Sequence, residues 1–210
     1  MSKRGYHHGN LRAALIEATL ELIAEKGPQG FTLAEAAKLA GVSAAAPYRH
    51  FSGREELLEA VALQGYELFA DLLEHAWDGG TPSPLRALEA VGRAYLAFAH
   101  RHSGHYIAMF ESGVAPGASP ELSAAAERSR RVLLRAAEAL SARLPPERRP
   151  PPSMFAAHIW ALSHGVVELF ARGKPGARAP FSAEALLEAG VGIYLRGLGL
   201  IGPEDEGPPP

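Results

Sequence analysis

Cysteine is missing from this chain of 210 residues. Its absence excludes disulfides, thiolate metal sites and a cysteine nucleophile, and it fits a reducing compartment. Long apolar runs are missing too. No window approaches the roughly 18 uninterrupted apolar residues that a membrane-spanning helix needs. The first apolar stretch is broken by Glu17, Glu21 and Glu25, which the core of a secretion signal would not carry. Strand-like alternation of apolar and polar residues is also absent. What remains is a chain that is 47% apolar, enough for a core without staples. It reads as a soluble, cytoplasmic, all-α protein with no membrane partner.

Catalytic constellations are equally scarce. Ser163 and His164 are neighbours in sequence, so on a helix their side chains point about 100° apart and do not pair as nucleophile and base. Gly190-Val191-Gly192 lacks the third glycine of a dinucleotide fingerprint and sits in helical context. Helical packing, at a dimer interface among other places, is the plainer role for Gly190, Gly192, Gly197 and Gly199. His100, His102 and His105 invite a metal reading, but only Glu111 offers a carboxylate nearby. A solvated helix junction is the preferred reading of that cluster. No catalytic residue, metal or cofactor is therefore expected.

Charge is unevenly spread. Residues 1–54 contain seven Lys or Arg against four Glu, and with a chain total of −2 the remainder carries −5. A basic first quarter on an acidic body suggests a polyanionic partner for that quarter alone.

Apolar residues recur at helical spacing almost throughout. A first helix is predicted from about Asn10 to Lys26, ended by Gly27-Pro28. Thr32-x-x-Glu35 is a capping box that opens a short second helix, stopped by Gly41. Residues 43–51 predict a brief third helix, and Ser52-x-x-Glu55 a further capping box for a long fourth through about Trp77. Ser83-Pro84 and Ser119-Pro120 each place a cap before a proline at the first helical position, where its missing N–H costs nothing. They open helices over about 84–101 and 120–143, with a shorter one over about 103–113 between them. Five prolines make residues 144–152 an extended connector. Helices over about 153–172 and 182–200 bring the total to about nine, and the acidic, proline-rich residues 202–210 read as a disordered tail. The division is a head over residues 1–52, a helical bundle body over 53–201, and the tail.

The short second and third helices, separated by Gly41-Val42-Ser43, match a helix-turn-helix, whose second helix enters the major groove of DNA. Ala36, Ala37, Ala40, Val42, Tyr48 and Phe51 are its expected inward positions. A linker between two bundle helices has the same periodicity. The motifs Gly41-Val42-Ser43, Tyr48-Arg49-His50-Phe51 and Ser52-Gly53-Arg54-Glu55-Glu56-Leu57-Leu58, with the lead-in Tyr6-His7-His8-Gly9-Asn10-Leu11 and Phe31-Thr32, resemble the DNA-binding domain of the TetR family of bacterial transcriptional regulators.

That resemblance implies a nine-helix subunit, a homodimer made by the last two helices, and a ligand pocket in the body. It implies that Tyr48 and His50 reach DNA phosphates from the recognition helix, Arg54 from the start of the fourth helix, and Thr32 from the start of the second. Lys3 and Arg4 form an arm of positive charge contributing salt-dependent affinity. Base reading falls to Ser43, Ala44, Ala45 and Ala46, with Arg49 beside them. An alanine methyl can touch a thymine methyl but cannot hydrogen-bond a base edge, so DNA shape and close backbone approach would share in specificity. Pro47 requires the helix to begin at or just after Ser43, the expected cap.

In the body, Trp160-Ala161-Leu162-Ser163-His164-Gly165 resembles the tryptophan, histidine, glycine signature of one TetR ligand-domain subgroup. Tyr95, Phe98, Tyr106, Met109, Phe110, Phe155, Trp160 and His164 are the candidate pocket lining, with plain core packing as the other reading of each. His164 reads as a hydrogen-bonded core histidine that can also face a ligand. The expected function is a ligand-responsive repressor released from double-stranded, palindrome-like DNA by a small hydrophobic or aromatic effector. A small-molecule binding protein without specific DNA binding, and a helical enzyme, are the other classes. Salt-dependent DNA binding and turnover, respectively, separate them from the regulator.

Overall fold

The computed structural model describes residues 11–171 and 180–202. The Lys3 and Arg4 arm, most of the lead-in motif and nearly all of the acidic tail lie outside the described residues. Among those described, every regular element is helical: α1 (Leu11–Lys26), α2 (Leu33–Leu39), α3 (Arg54–Trp77), α4 (Pro84–Arg101), α5 (Ser103–Phe110), α6 (Pro120–Ser141), α7 (Pro152–Val166) and α8 (Ala183–Leu198). Short 3-10 turns at Ala46–Arg49, Asp78–Gly80 and Pro146–Arg148, and a π turn at Val167–Ala171, complete the set.

The boundaries follow local chemistry. Thr32 caps α2 with both arms of the capping box: the Glu35 N–H donates to the Thr32 hydroxyl at 3.2 Å, and the Thr32 N–H donates to the Glu35 carboxylate at 2.8 Å. The same helix ends in a Schellman arrangement, with Gly41 at φ 74° and the Val42 N–H bonded to the Ala37 carbonyl at 3.0 Å. Ser83, Ser119 and Ser182 cap α4, α6 and α8 through their hydroxyls. The box at the start of α3 sits one residue later than the sequence spacing implies. Glu56, not Glu55, accepts from the Ser52 N–H at 2.7 Å, because Gly53 is the residue that opens the helix.

Two further expectations shift. The proline-rich connector is not uniformly extended: it contains the 3-10 turn Pro146–Arg148, after which Arg149 donates to the Leu144 and Ala142 carbonyls left open at the end of α6. Gly199 is the left-handed C-cap of α8 rather than a packing glycine.

The chain divides into two compact units, residues 1–67 with 102–126, and residues 68–101 with 127–210. The core of the first gathers Leu15, Ile23, Phe31, Phe51, Leu57 and Tyr106. Within it α5 lies directly on α1: a Cβ on Gly104 would stand 3.0 Å from Leu20 Cδ2 and 3.2 Å from the Leu20 carbonyl oxygen. The core of the second is built around Phe69, whose ring centroid lies 4.8 Å from that of Phe98 and 5.1 Å from that of Tyr95. Arg128 ties α6 to Asp71 and Glu74 on α3 at the edge of that unit.

Truncation of Phe69 to alanine removes the hub of the second core and is expected to cost about 3–5 kcal/mol, read as a large fall in melting temperature; a fall of only a degree or two would contradict its central place. A pH effect follows from Glu35. The Lys26 ammonium, then the Thr32 N–H and hydroxyl, pull its carboxyl down from 4.5 to about 2. The folded value lies below the unfolded one, so its contribution is complete above about pH 4.5 and disappears as pH falls through about 2. The melting-temperature gap between wild type and Glu35→Gln should therefore close over that window.

Candidate nucleic-acid interface and effector cavity

The recognition segment begins later and is shorter than its sequence suggests. Ser43 makes no side-chain cap; its carbonyl accepts the Ala46 N–H at 3.0 Å, and a single 3-10 turn then covers Ala46–Arg49. Pro47 takes the second position of that turn, where no N–H is needed, and its carbonyl accepts from His50 at 2.8 Å and Phe51 at 3.0 Å. This later start corrects the expected core. Pro47 and Phe51 point inward with Ala36 and Ala37, Ala40 and Val42 are half-buried, and Tyr48, expected inside, is 65% exposed. A buried proline ring leaves no polar group unsatisfied, whereas a buried tyrosine would need a partner for its hydroxyl.

The result is one outward-facing strip. Ser43, Ala44, Ala45, Tyr48, Arg49 and His50 are all exposed along it, and Ala46 is half-buried. Arg12 lies over the Phe51 ring at 5.6 Å, fixing the back of the strip to α1. Thr32 is exposed at the start of α2, but its N–H and hydroxyl are both already given to Glu35, which Lys26 holds at 2.8 Å. Arg54 opens α3 and is also engaged: it donates to the Gln29 side-chain oxygen at 2.6 Å and to the Gln29 carbonyl at 3.1 Å.

The candidate effector residues fall into both units. In the second, the Tyr95 hydroxyl meets His164 Nδ1 at 2.8 Å, and the Trp160 and His164 rings stack 11° from parallel with centroids 6.0 Å apart. Trp160 is edge-on to Tyr95 at 5.5 Å. His164 is thus the hydrogen-bonded histidine the sequence suggested. Tyr95, Phe98 and Phe155 are fully packed rather than facing a cavity. In the first unit, Tyr106 and Met109 are equally packed, with Phe110 edge-on to Tyr66 at 5.8 Å.

Open space in the second unit lies elsewhere. A cleft of about 250 Å³ separates α4, α7 and α8, floored by Leu96, Ile159, Leu187 and Val191 and rimmed by Arg93 and Glu188. Another of about 330 Å³ lies between α6 and α7, with Leu133, Ala156 and Trp160 beneath Arg130 and Arg131. Trp160 alone among the candidate lining residues reaches either cleft. The rest of both linings mixes charged side chains such as Arg86, Glu89, Glu184 and Glu127 with aliphatic residues that only tertiary packing distinguishes from ordinary core. Gly92 carries the one sequence signal: its missing side chain lets α8 approach, since a Cβ would stand 3.3 Å from Leu187 Cδ2.

The histidine cluster is not a solvated junction throughout. His105 is buried beside Gln64, and burial with the nearby His102 pushes it down to about 4. Among the described residues, no group of three or more His, Asp or Glu is arranged to hold a metal ion. Nor is any described helix long and apolar enough to cross a membrane.

Residues 15–61 match the family described as bacterial regulatory proteins, tetR family, and residues 88–194 match the tetracyclin repressor-like C-terminal domain. Among solved structures, a protein of unknown function from Rhodococcus sp. RHA1 is 28% identical at a TM-score of 0.76, covering 93% of this chain and 98% of that one. AibR, in complex with isovaleryl coenzyme A and operator DNA, is 23% identical at 0.67, over 87% of this chain and 96% of its own. The TetR family transcriptional regulator PfmR from Thermus thermophilus is 21% identical at 0.65, over 87% and 97%. The last two likenesses are of fold. No curated protein sequence matches. With the head and more than half the chain through the body matched in order, this protein belongs to the TetR family of bacterial regulatory proteins.

Proposed function

We propose that the protein is a cytoplasmic, homodimeric repressor that binds a palindrome-like operator in double-stranded DNA and is released by a small hydrophobic or aromatic effector. The observation that carries this reading is the exposed strip from Ser43 to His50, which turns a phenol, a guanidinium and an imidazole outward beside four small residues. Tyr48 and His50 grip phosphate and set the register, and Arg54 adds a third contact at the start of α3. Thr32 joins them only where Glu35 gives way. Ser43, Ala44, Ala45 and Ala46 line the major groove, small enough for the backbone to approach the bases, with Arg49 as the one long side chain available to a base edge. Lys3 and Arg4 add salt-dependent affinity. The division of labour is a DNA-binding head over residues 1–52 and a ligand-binding and dimerisation body over 53–201.

The body supports the rest. On α7 and α8, Met154, Ala157, Ala161 and Ile193 are exposed and apolar, a face suited to a second copy. Trp160 stacked on His164, with Gly165 next, favours the tryptophan, histidine, glycine subgroup for this domain. Of the two clefts in that unit, the one of about 330 Å³ beside Trp160 reaches the size of a small-ligand pocket. In AibR, this kind of fold is seen with isovaleryl coenzyme A and operator DNA together. Release requires an effector that binds better to a conformation in which the two recognition segments no longer match successive major grooves, ~34 Å apart.

On operator DNA, Tyr48→Ala and His50→Ala are each expected to weaken binding by about tenfold and Tyr48→Ala/His50→Ala by far more; fluorescence anisotropy showing wild-type affinity for all three would sink the interface. Ile193→Glu, at a site 65% exposed in the single chain, should yield a folded monomer by sedimentation that no longer binds the operator. A sedimentation coefficient unchanged from wild type would remove α8 from the dimer interface.

A further inference from the structure

We infer that Gln29 is a positioning residue for DNA binding: it anchors the guanidinium of Arg54 to Ser112, in the loop that follows α5. Three hydrogen bonds make the link. Arg54 Nη2 donates to Gln29 Oε1 at 2.6 Å, Arg54 Nη1 donates to the Gln29 carbonyl at 3.1 Å, and Gln29 Nε2 donates to the Ser112 carbonyl at 2.9 Å. The amide can be oriented only one way. With its ends exchanged, an NH2 would face the guanidinium and an oxygen would face a carbonyl, losing both bonds.

Each end of the link is itself fixed. Ser112 is buried, its hydroxyl donating to the Ala108 carbonyl at 2.6 Å and accepting from the Val114 N–H at 3.1 Å. The loop that carries Gln29 folds back so tightly that a side chain on Gly30 would collide with the Lys26 carbonyl oxygen. Gln29 is exposed and contributes nothing to the core, so packing does not explain its place. Two of the five N–H groups of Arg54 are given to Gln29, which leaves three to meet a phosphate. A long, flexible cation is thereby ordered before DNA arrives, and any displacement of the α5 end is transmitted to it through one side chain.

This inference rests on the reading of Arg54 as a phosphate contact. The test is a double-mutant cycle on the full chain with operator DNA, read by anisotropy across a salt titration. The variants are Gln29→Met, which keeps the length and removes the polar atoms, Arg54→Ala, and the two combined. Arg54→Ala should weaken binding about tenfold and lower the slope of log K against log[salt] by roughly 0.9, the signature of one lost phosphate contact. Gln29→Met should weaken binding about three- to tenfold with the slope unchanged, because the charge remains but keeps only its bond to the backbone carbonyl of residue 29 and loses the tie to Ser112. In the Arg54→Ala background it should change nothing further. Wild-type affinity for Gln29→Met, or the same loss with and without Arg54, overturns the inference while leaving the regulator reading intact. Failure of the wild-type protein to bind DNA overturns both.

Discussion

Helix α5 lies close against α1 at a residue without a side chain, Gly104, where a Cβ would come within 3.0–3.2 Å of the Leu20 side chain and carbonyl oxygen. This contact decides what belongs to the unit that carries the recognition strip. Through it, a helix far along the sequence becomes part of the same compact body as α1, α2 and the 3-10 turn. A second close approach sits one helix away: Gly65 on α3 faces the Met109 side chain, and a Cβ there would be 2.7 Å from its sulfur. Helix α5 is thus closely packed on both sides, and Ser112 just beyond its end, tied back to the Ala108 carbonyl, is the point from which Gln29 holds Arg54.

The recognition strip rests on the opposite kind of economy. One turn of 3-10 helix has poor hydrogen-bond geometry and little stability of its own. What keeps it in place is the burial of Pro47 and Phe51 beneath it and Arg12 across the Phe51 ring. Because the turn is so short, its outward residues are nearly consecutive, and Tyr48, Arg49 and His50 all face away from the head. Under the proposed function, affinity and register come from Tyr48, His50 and Arg54, and Arg49 is left for a base edge. On that proposal the small residues before them let the backbone approach the bases, so groove shape shares in sequence choice.

Much of this was readable from the residues alone, and the limits are physical. Caps are local: a serine or threonine and the residue three positions on decide them, so Thr32 with Glu35, Ser83-Pro84 and Ser119-Pro120 behave as their spacing implies. The box at Ser52 falls one residue later than its spacing implies because Gly53 opens the helix, which puts Glu56 three residues on from the cap. Tyr48 lies outside rather than inside because the turn covers only Ala46–Arg49 and buries Pro47, a choice that helical spacing alone does not reveal. Gln29 was invisible, since its partners lie 25 and 83 residues away. The aromatic residues suggest a pocket by type alone. Most of them are packed core, while the open clefts are lined by aliphatic and charged residues that, Gly92 apart, carry no mark in the sequence.

Every role proposed for the head depends on specific DNA binding, and selection of genomic DNA fragments by the full-length protein at moderate salt tests it most directly. Sequencing of the retained fragments should reveal one pseudo-palindrome, with half-site centres one helical turn or a small multiple apart, whose enrichment weakens as salt rises. Fragments retained no more than bulk DNA, or sharing no common site, would contradict it.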